Sequence, residues 1–351
     1  MTNTPYSAKP MATYKDIQRL TGLSLSTISK YFNGGGVRPA NREAIRQASD
    51  ELGFQINDFA RSLRRGTSQT VGVLLPALDN AFHLAVIAGV ERVLQAHGVG
   101  VVVCSSRPDD RAPGDAVDAL RSKMVDGIIA VPSAHDVEAL ERAAHAGVPV
   151  VTVDRTFPGL DTDHVQLENR AAGAMVANHL VDHQHERIGM IGGTASTPSL
   201  IERRSGFVDA LGARNVTIVE NWFTESELTI DAGRRAMRLL LSRSERPSAI
   251  FTANYELTVG ALIALNESGL SIPDDISLVG FDINDIARVT RPRITTVIQP
   301  MHLIAERAAE QMLVQMSGAR STAQEVITVD ADLAVGSSVR SLAPAAARST
   351  R

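Results

Sequence analysis

Residues 13–33 of the chain read TYKDIQRLTGLSLSTISKYFN, a pattern that predicts two short helices joined by a tight turn. Thr13 followed by Asp16 has the spacing of a capping box for the first helix, and Ser24 is a suitable cap for the second. Gly22 supplies the turn between the two helices. This spacing is typical of a helix-turn-helix unit, whose second helix enters the major groove of DNA.

Apolar residues at helical spacing predict a small three-helix core around this pair. Ile17 and Leu20 share one face of the first helix, and Ile28 and Phe32 point inward from the second. A third amphipathic helix follows, and its apolar face is formed by Ile45, Ala48 and Leu52. We expect this third helix to close the core over the other two.

The charge of the chain is divided unevenly along its length. Residues 1–68 contain ten Lys or Arg and five Asp or Glu, whereas residues 69–351 contain 25 and 34, within a total formal charge of −4. A basic N-terminal part joined to an acidic remainder indicates that the first part meets phosphate and the second does not. Chance clustering of charge could give the same imbalance, but it would not explain the two capped helices.

A second short helix-forming segment follows the head. Residues 54–66 read FQINDFARSLRRG and predict a helix capped by Asn57. A helix of about ten residues is only marginally stable alone in water, so this one should need a partner. Residues 66–70 form a polar linker, and residues 71–76, VGVLLP, then begin a new domain with a buried strand.

Beyond this linker, apolar runs alternate with helical segments. The runs lie at residues 71–75, 99–104, 127–131, 148–153, 187–192, 249–253, 276–281 and 295–298. Strands that alternate with helices predict an α/β body with parallel sheets covered on both faces. The pattern has too many units for one small domain, so we expect two similar lobes.

The chain from about Met11 to Arg340 resembles the LacI/GalR family of transcription regulators. The resemblance is carried by TYKDI at residues 13–17, LSTISK at residues 25–30 and NDFARSL at residues 57–63, with a body of the sugar-binding-protein type. It implies an all-α helix-turn-helix head and a two-lobed, doubly wound parallel-sheet body like that of periplasmic binding proteins. It also implies a homodimeric repressor that binds a pseudopalindromic operator in double-stranded DNA, with an affinity controlled by a small-molecule effector, often a sugar or nucleoside. For this chain a sugar or a related metabolite is expected. No cofactor is implied.

The resemblance also divides the chain into parts. A DNA-binding head, a hinge helix with its linker, and an effector-binding and dimerisation domain are expected at residues 11–54, 55–68 and 69–341. The chain is expected to cross three times between the two lobes of the last domain, with the ligand cleft between them. Lobe one is expected at about 70–158 and 300–318, and lobe two at about 159–298 and 322–341. The ends at residues 1–10 and 342–351 are expected to be disordered.

By this resemblance, the second helix of the head reads DNA. Leu25, Ser26 and Lys30 occupy the positions that contact bases. Lys30 can donate to guanine, and Leu25 offers only an apolar surface, for example to a thymine methyl group. The remaining DNA-binding positions, most of which meet phosphates in the family, are Thr13, Ser24, Thr27, Ser29 and Asn33. Ser24 and Thr27 could instead serve only as helix caps.

The hinge has a more specific expectation. Leu63 matches the leucine that family members insert into the minor groove, where it unstacks a base step and kinks the duplex. Ala60 permits close approach on the same face, Arg61 can meet a phosphate, and Asn57 caps the helix. Leu63 could instead pack against the body. Ile56 stands where most family members have proline, which departs from the family pattern.

The residues that match the family's ligand pocket are Asp154, Arg203, Asn254 and Asp282. Carboxylates, a guanidinium and an amide suit a sugar, because each sugar hydroxyl both donates and accepts hydrogen bonds. Phe82 is expected to stack on a ring of the ligand. Trp222 could do the same or could pack within the protein instead. The two aspartates could alternatively cap loops at strand ends.

Other functional classes find little support in the sequence. No run of 18 apolar residues occurs and the N-terminus lacks a signal-peptide pattern, so we expect a cytoplasmic protein that joins the nucleoid when bound to its operator. Cys104 is the one cysteine, which excludes an intrachain disulfide and a cysteine-based zinc site. His179 and His183 have i,i+4 spacing without a supporting ligand set, so no metal is predicted. No catalytic motif is present, so no enzyme is predicted.

Two alternatives to a sugar-responsive repressor stay open. The body could respond to a protein corepressor, or the chain could be a solute-binding protein or an enzyme with a vestigial head. The intact helix-turn-helix pattern, the hinge leucine and the missing export signal all oppose this second alternative.

Overall fold

The computed structural model describes residues 12–54, 66–78, 80–107, 112–318 and 324–342. The chain divides into two compact units between Ser68 and Gln69. The hinge helix expected from Asn57 onward, and the expected disordered ends apart from Leu342, lie outside the described residues.

The described part of the first unit consists of three helices, which are α1 (Tyr14–Thr21), α2 (Leu25–Phe32) and α3 (Pro39–Leu52). The backbone N–H of Thr13 donates to Asp16 Oδ2 at 2.9 Å, which fixes the start of α1. The helix ends at Gly22, whose φ of +67° reverses the chain into α2. Each of these contacts joins residues close in sequence, so the local sequence defines the helix-turn-helix.

The core of the first unit lies where the three helices meet. Ile17, Ile28 and Ile45 are fully buried there, and the rings of Tyr14 and Phe32 stack beside them with centroids 5.3 Å apart. The prediction that Leu20 belongs to this core is wrong, because its side chain is 49% exposed. The packed face of α1 runs through Tyr14 and Ile17, and Leu20 lies beyond its edge.

The second unit contains two six-stranded sheets. The strands, in chain order, are β1 (Thr70–Leu75), β2 (Gly100–Ser105), β3 (Gly127–Ala130), β4 (Val150–Val153), β5 (Asp163–Leu167), β6 (Ile188–Gly193), β7 (Phe223–Ser226), β8 (Ala249–Thr252), β9 (Ser277–Phe281), β10 (Thr295–Ile298), β11 (Val326–Val329) and β12 (Asp332–Ala334). The helices between them are α4 (Ala81–Ala96), α5 (Asp115–Ser122), α6 (Val137–His145), α7 (Asn169–Asp182), α8 (Pro198–Ala213), α9 (Ile230–Leu241), α10 (Tyr255–Ser268), α11 (Asn284–Val289) and α12 (Met301–Met316). A short 3₁₀ turn, Glu220–Trp222, precedes β7.

The strand order of each sheet shows a doubly wound topology. The first sheet has the order β11-β5-β4-β3-β1-β2, and the second has the order β12-β10-β9-β8-β6-β7. Among the described strands, β12 pairs antiparallel with β10 and every other pair is parallel. Parallel strands require crossover helices, which is why the apolar runs alternate with helical segments along the chain.

Helices cover both faces of each sheet. In the first lobe, α4 and α12 bury Val86 and Ile304 against one face, and α5 and α6 pack on the other. In the second lobe, α7 and α8 bury Leu180 and Phe207 against one face, and α9 and α10 pack on the other. Each lobe therefore has its own two-sided hydrophobic core.

The predicted lobe boundaries need correction. β5 pairs with β4 through Val151 and Asp163, and β11 pairs with β5, so both strands belong to the first lobe and not to the second. Their sequences, DHVQL and VITV, carry no long buried run that marks them as central strands. The three crossings between lobes follow Leu167, Ile298 and Val329.

A membrane-spanning helix must be both long and strongly apolar. None of the described helices is long and apolar enough to cross a lipid bilayer.

Candidate DNA-binding surface and ligand cleft

α2 presents the three predicted base-contacting residues to solvent. Ser26 and Lys30 are exposed, and the Leu25 side chain is 39% exposed, whereas Ile28 on the opposite face is buried. A helix that is buried on one side and open on the other can enter a groove. The structure therefore places Leu25, Ser26 and Lys30 where a base edge could reach them.

The hydroxyl groups around the start of α2 form a local network. Ser24 Oγ accepts a hydrogen bond from the Thr27 backbone N–H at 3.2 Å and lies 2.8 Å from Thr27 Oγ1 and 2.8 Å from Ser26 Oγ. Ser24 is therefore a helix cap in this structure, and its phosphate contact stays a prediction. At the other end of the helix, Asn33 Nδ2 donates to the Ser29 carbonyl oxygen at 2.9 Å.

Thr13 lies within the described residues, whereas the predicted hinge contacts do not. Thr13 occupies the N-cap position of α1, and its hydroxyl donates to Asp16 Oδ2 at 2.8 Å. The predicted hinge contacts all lie outside the described residues, and these are Asn57, Ala60, Arg61 and Leu63.

A cleft of about 540 Å³ lies between the two lobes of the second unit. It opens at the carboxyl ends of the parallel strands, where ligands bind in open α/β sheets. Five of the six predicted pocket residues line it, and these are Phe82, Asp154, Arg203, Asn254 and Asp282. Its volume is in the range of small-molecule sites.

Arg203 is the most deeply buried charged group of the cleft. Its side chain is held on α8 and is only 3% exposed. Its Nε and Nη2 donate to Asn169 Oδ1 at 3.2 and 2.6 Å, and its Nη1 donates to the Ala253 carbonyl oxygen. The guanidinium carbon also lies 3.4 Å from the centroid of the Phe281 ring. Burial lowers the pKa of Arg203 to about 10, so the group is still cationic at neutral pH.

Asp282 follows β9 and projects into the cleft wall with a φ of +59°. Desolvation raises the pKa of Asp282 to about 6, although the Arg203 charge and the hydrogen bonds from Gln299 act in the opposite direction. The Gln299 backbone N–H donates to Asp282 Oδ1 at 3.3 Å, and its side-chain amide donates to Oδ2. Gln299 Oε1 is buried and has no hydrogen-bond partner among the described residues.

Asp154 follows β4 and, like Asp282, has a positive φ of +65°. Its Oδ2 lies 3.3 Å from Nε of Arg155, which also lines the cleft. Asn254 caps α10, because its Oδ1 accepts from the Leu257 N–H at 3.0 Å. Both aspartates stand directly after a strand, which is the position that the alternative of loop-capping carboxylates requires. Both also line the cleft.

Trp222 lies outside this cleft, which corrects the prediction of a stacking role. Its ring is 6% exposed, and its indole N–H donates to the Glu245 carbonyl oxygen at 2.9 Å. The physical reason is its position before β7, at the amino end of a parallel strand, whereas the cleft forms at the carboxyl ends. Leu228 and Thr229, which follow β7, line the cleft instead.

Several cleft residues escaped the sequence prediction. Gln299 follows β10 directly, just as Asp282 follows β9, so its place at a strand end was the available signal. Asn80 precedes a helical run and is a typical N-cap residue. Glu256 had no such signal for its contact with Asn80, and Asn169, which lies beside the cleft, had none for its contact with Arg203, because these partners are distant in sequence.

His179 on α7 and His183, which follows this helix, lie close together. The His179 and His183 rings lie 4.4 Å apart, but among the described residues no group of three or more His, Cys, Asp or Glu side chains could hold a metal ion. His185 is buried, with Nδ1 2.9 Å from Ser248 Oγ and Nε2 3.1 Å from the Arg340 carbonyl oxygen. Its role is to join elements of the second lobe.

A polar cleft between two parallel-sheet lobes, in one chain with a helix-turn-helix unit, defines the class of DNA-binding regulators controlled by a small molecule. Comparison with known proteins agrees with this class. Residues 177–339 match the model of the periplasmic binding protein-like domain. The chain is 32% identical over 306 residues to the ribose operon repressor of Haemophilus influenzae, covering 86% of this chain and 91% of that protein.

Solved structures agree as well. A complex of the transcriptional regulator CelR with cellobiose has a TM-score of 0.70 and 26% identity, covering 93% of this chain and 99% of that one. The lac repressor dimer bound to operator has the same fold, with a TM-score of 0.83 and 23% identity over 94% of this chain and 99% of that one. The chain belongs to the LacI family of transcriptional regulators. It is a DNA-binding regulator controlled by a small-molecule effector, and not an enzyme.

Proposed function

We propose that the protein is a sugar-responsive repressor that binds a pseudopalindromic operator as a homodimer. The observation that carries the proposal is the convergence of Arg203, Asp282 and Gln299 on one cleft between the lobes. A guanidinium, a carboxylate and an amide oxygen that has no partner among the described residues together match the donor and acceptor pattern of a hydroxyl-rich ligand. The relatives named for ribose and cellobiose support a sugar as the effector.

The charge of the cleft favours an uncharged sugar over a phosphorylated one. Four carboxylates line the described part of the cleft, from Asp154, Asp231, Glu256 and Asp282, against the two guanidiniums of Arg155 and Arg203. Arg155 is beside Asp154, and Arg203 is already committed to Asn169 and Ala253. No lysine lines the described cleft, so a phosphate would meet an excess of negative charge.

Phe82 gives the ligand an apolar surface. It stands in the first turn of α4 and lines the cleft while packing against the core of the first lobe. A sugar has one apolar face of C–H groups, which an aromatic ring can cover while polar side chains bind the hydroxyls. We assign Asp154, Asn254 and Asp282 to the hydroxyls and Phe82 to this face.

The exposed face of α2 supports the DNA contacts that we propose. We assign base contacts to Leu25, Ser26 and Lys30, and contacts that fix the register on the DNA to Thr13, Ser24, Thr27, Ser29 and Asn33. The hinge would add the minor-groove contact through Leu63, with Asn57, Ala60 and Arg61 in support. A two-fold dimer would then read two half-sites of opposite orientation.

Ligand and operator should be linked through the angle between the lobes. A sugar that binds one lobe arrangement better than the other shifts the population of that arrangement. Linkage makes the effect reciprocal, so an inducer must bind more weakly to the operator complex than to the free protein.

The test begins with the DNA. Purified protein is mixed with fragments of its own genome, and the bound fragments are sequenced. A pseudopalindromic site should be enriched, and its release should then be titrated with pairs of free and phosphorylated sugars, beginning with D-ribose and ribose 5-phosphate. Enrichment without symmetry would contradict the dimeric reading, and release by the phosphorylated member alone would contradict the uncharged ligand.

A further inference from the structure

Two helices from different lobes begin at the wall of the cleft. α4 of the first lobe is capped by Asn80, whose Oδ1 accepts from the backbone N–H groups of Phe82 at 2.8 Å and His83 at 3.3 Å. α10 of the second lobe is capped by Asn254 in the same way. A helix N-terminus carries partial positive charge, so the space between these two starts favours an anion.

The carboxylate of Glu256 occupies this space. Its Oε1 accepts a hydrogen bond from Asn80 Nδ2 at 2.6 Å, and its Oε2 accepts one from Asn254 Nδ2 at 2.6 Å. Asn80 and Glu256 lie 176 positions apart and belong to lobes with separate sheets. One side chain therefore bonds to the cap residues of two helices on opposite sides of the cleft.

We propose that Glu256 is an interlobe latch, and thereby a positioning residue for the effector response. When the lobes are close, each carboxylate oxygen is bound by the side-chain amide of one cap. When the lobes separate, the bond to Asn80 breaks and the second oxygen keeps its bond to Asn254. The latch thus favours the closed cleft by a contact that exists only in that arrangement.

The latch also reaches the ligand-binding surface. The amide of Asn80 that donates to Glu256 belongs to the same side chain whose oxygen holds the Phe82 backbone. Because Phe82 lines the cleft, an Asn80 side chain fixed by Glu256 fixes the first turn that carries this ring. Closure of the lobes and placement of the ring are therefore coupled through one hydrogen-bonded chain. This part of the inference rests on the proposed sugar-binding role of the cleft.

The physical chemistry requires a carboxylate at this position. Two parallel acceptor oxygens are needed to receive two amide donors, and hydrogen bonds to a charged group are stronger than neutral ones. A glutamine would present one oxygen to one asparagine and an amide N–H group to the other. Glu256→Gln should therefore keep one bond and lose the other, whereas Glu256→Ala should lose both.

Hydrogen–deuterium exchange of the full-length protein without ligand tests the latch. For each variant, the exchange rate is compared in peptides from the lobe opposite to the one that carries the substitution. Glu256→Ala should speed exchange by about tenfold in peptides from the start of α4, which is in the first lobe. Asn80→Ala should likewise speed exchange at the start of α10, in the second lobe. Glu256→Gln should give the same pattern with a smaller amplitude, and it is the variant that best preserves packing.

A matched control removes one carboxylate of the second lobe at a position away from the cleft. Glu186 is exposed and does not line the cleft, so Glu186→Gln should leave exchange at both helix starts unchanged. A Glu256→Ala protein that exchanges faster only in α10 would show a local cap and would overturn the latch. If Glu256→Ala exchanges faster throughout both lobes, that variant is generally destabilised and Glu256→Gln decides. Unchanged exchange at the start of α4 in Glu256→Gln would then overturn the latch.

A binding measurement connects the latch to the effector. Calorimetric titration with D-ribose should give an apparent Kd about tenfold higher for Glu256→Ala than for the unsubstituted protein, because less of the protein occupies the closed state. An unchanged Kd would overturn the role in the effector response. The exchange experiment needs no ligand, so it decides the latch even if the unsubstituted protein binds no sugar, a result that would contradict only the proposed function.

Discussion

Replacing Asp282 with asparagine should make the protein more stable at neutral pH while it weakens the cleft as a sugar site. Asp282 lies in the cleft wall, where desolvation raises its pKa to about 6 from an ordinary value of 3.8. Asparagine has nearly the same shape and resembles the protonated acid. Its one carbonyl oxygen can still accept from the Gln299 side-chain amide, which donates to Asp282 Oδ2 in the structure, while the longer bond from the Gln299 backbone N–H to Oδ1 is lost, as it would be weakened in the protonated acid.

The magnitude follows from the two pKa values. A folded-state pKa of about 6 against an unfolded value near 3.8 corresponds to about 3 kcal/mol, because one pKa unit is about 1.4 kcal/mol. The folded state binds the proton more tightly, so this carboxyl costs nothing below pH 4. Its cost grows as the pH rises to about 6, and it stays constant above that pH. Because part of the side chain reaches cleft water, we expect about 1–3 kcal/mol at pH 7.

Urea unfolding from pH 4 to pH 8 measures this effect as the difference between Asp282→Asn and the unsubstituted protein. The difference should be near zero at pH 4 and should rise to its full value by pH 7. Asp285→Asn, which removes an exposed carboxylate three residues away, should show no such rise. A difference that does not depend on pH, or a less stable Asp282→Asn protein at pH 7, would refute the reasoning. Calorimetry with D-ribose should meanwhile show weaker binding by the variant.

Three further predictions concern the head and the second lobe. Ser24→Ala should destabilise the start of α2 by about 1 kcal/mol, because the Thr27 N–H loses its hydrogen-bond acceptor, and amide exchange in α2 peptides should be faster. Loss of operator binding with unchanged exchange would instead indicate that Ser24 contacts a phosphate. Lys30→Ala should cost about 1–3 kcal/mol of discrimination at one base pair in operator titrations, and a uniform loss across sequences would show that Lys30 meets only phosphate. Gly206→Ala should lower the thermal midpoint by the equivalent of about 1–3 kcal/mol, because its Cβ would overlap the Arg170 carbonyl group where α7 and α8 pack together. Gly212→Ala on the same helix has open space around its Cβ and should not lower the midpoint.

The structure of the helix-turn-helix head could be predicted from contacts between residues that are close in sequence. The bonds of Thr13 to Asp16 and of Ser24 to Thr27 each span three residues, so their partners are visible in the sequence itself. The same holds for the turn at Gly22. For the body, the alternation of strands and helices predicted two parallel-sheet lobes. The central strands could be recognised because a strand of a parallel sheet is buried on both faces, so its sequence is a near-continuous apolar run.

The cleft could be predicted only in part. Asp154 and Asp282 stand at the ends of apolar strands, and strand ends of parallel sheets meet at one edge, so sequence and family resemblance together indicated them. Arg203 was indicated by resemblance, but its bonds to Asn169 and Ala253 were not. The prediction placed Trp222 in the cleft because the sequence does not show where β7 begins. Trp222 precedes this strand and therefore lies at its amino end, away from the cleft.

The sequence by itself determined the helix-turn-helix, the α/β character of the body and the strand ends that carry two carboxylates. These features depend on residues within one turn of helix or one strand of each other, where chain connectivity brings the partners together. Tertiary structure alone decided that β5 and β11 join the first lobe, and that Asn80 of one lobe meets Glu256 of the other. Such contacts depend on how separately folded segments pack, and no local pattern records a partner 176 residues away.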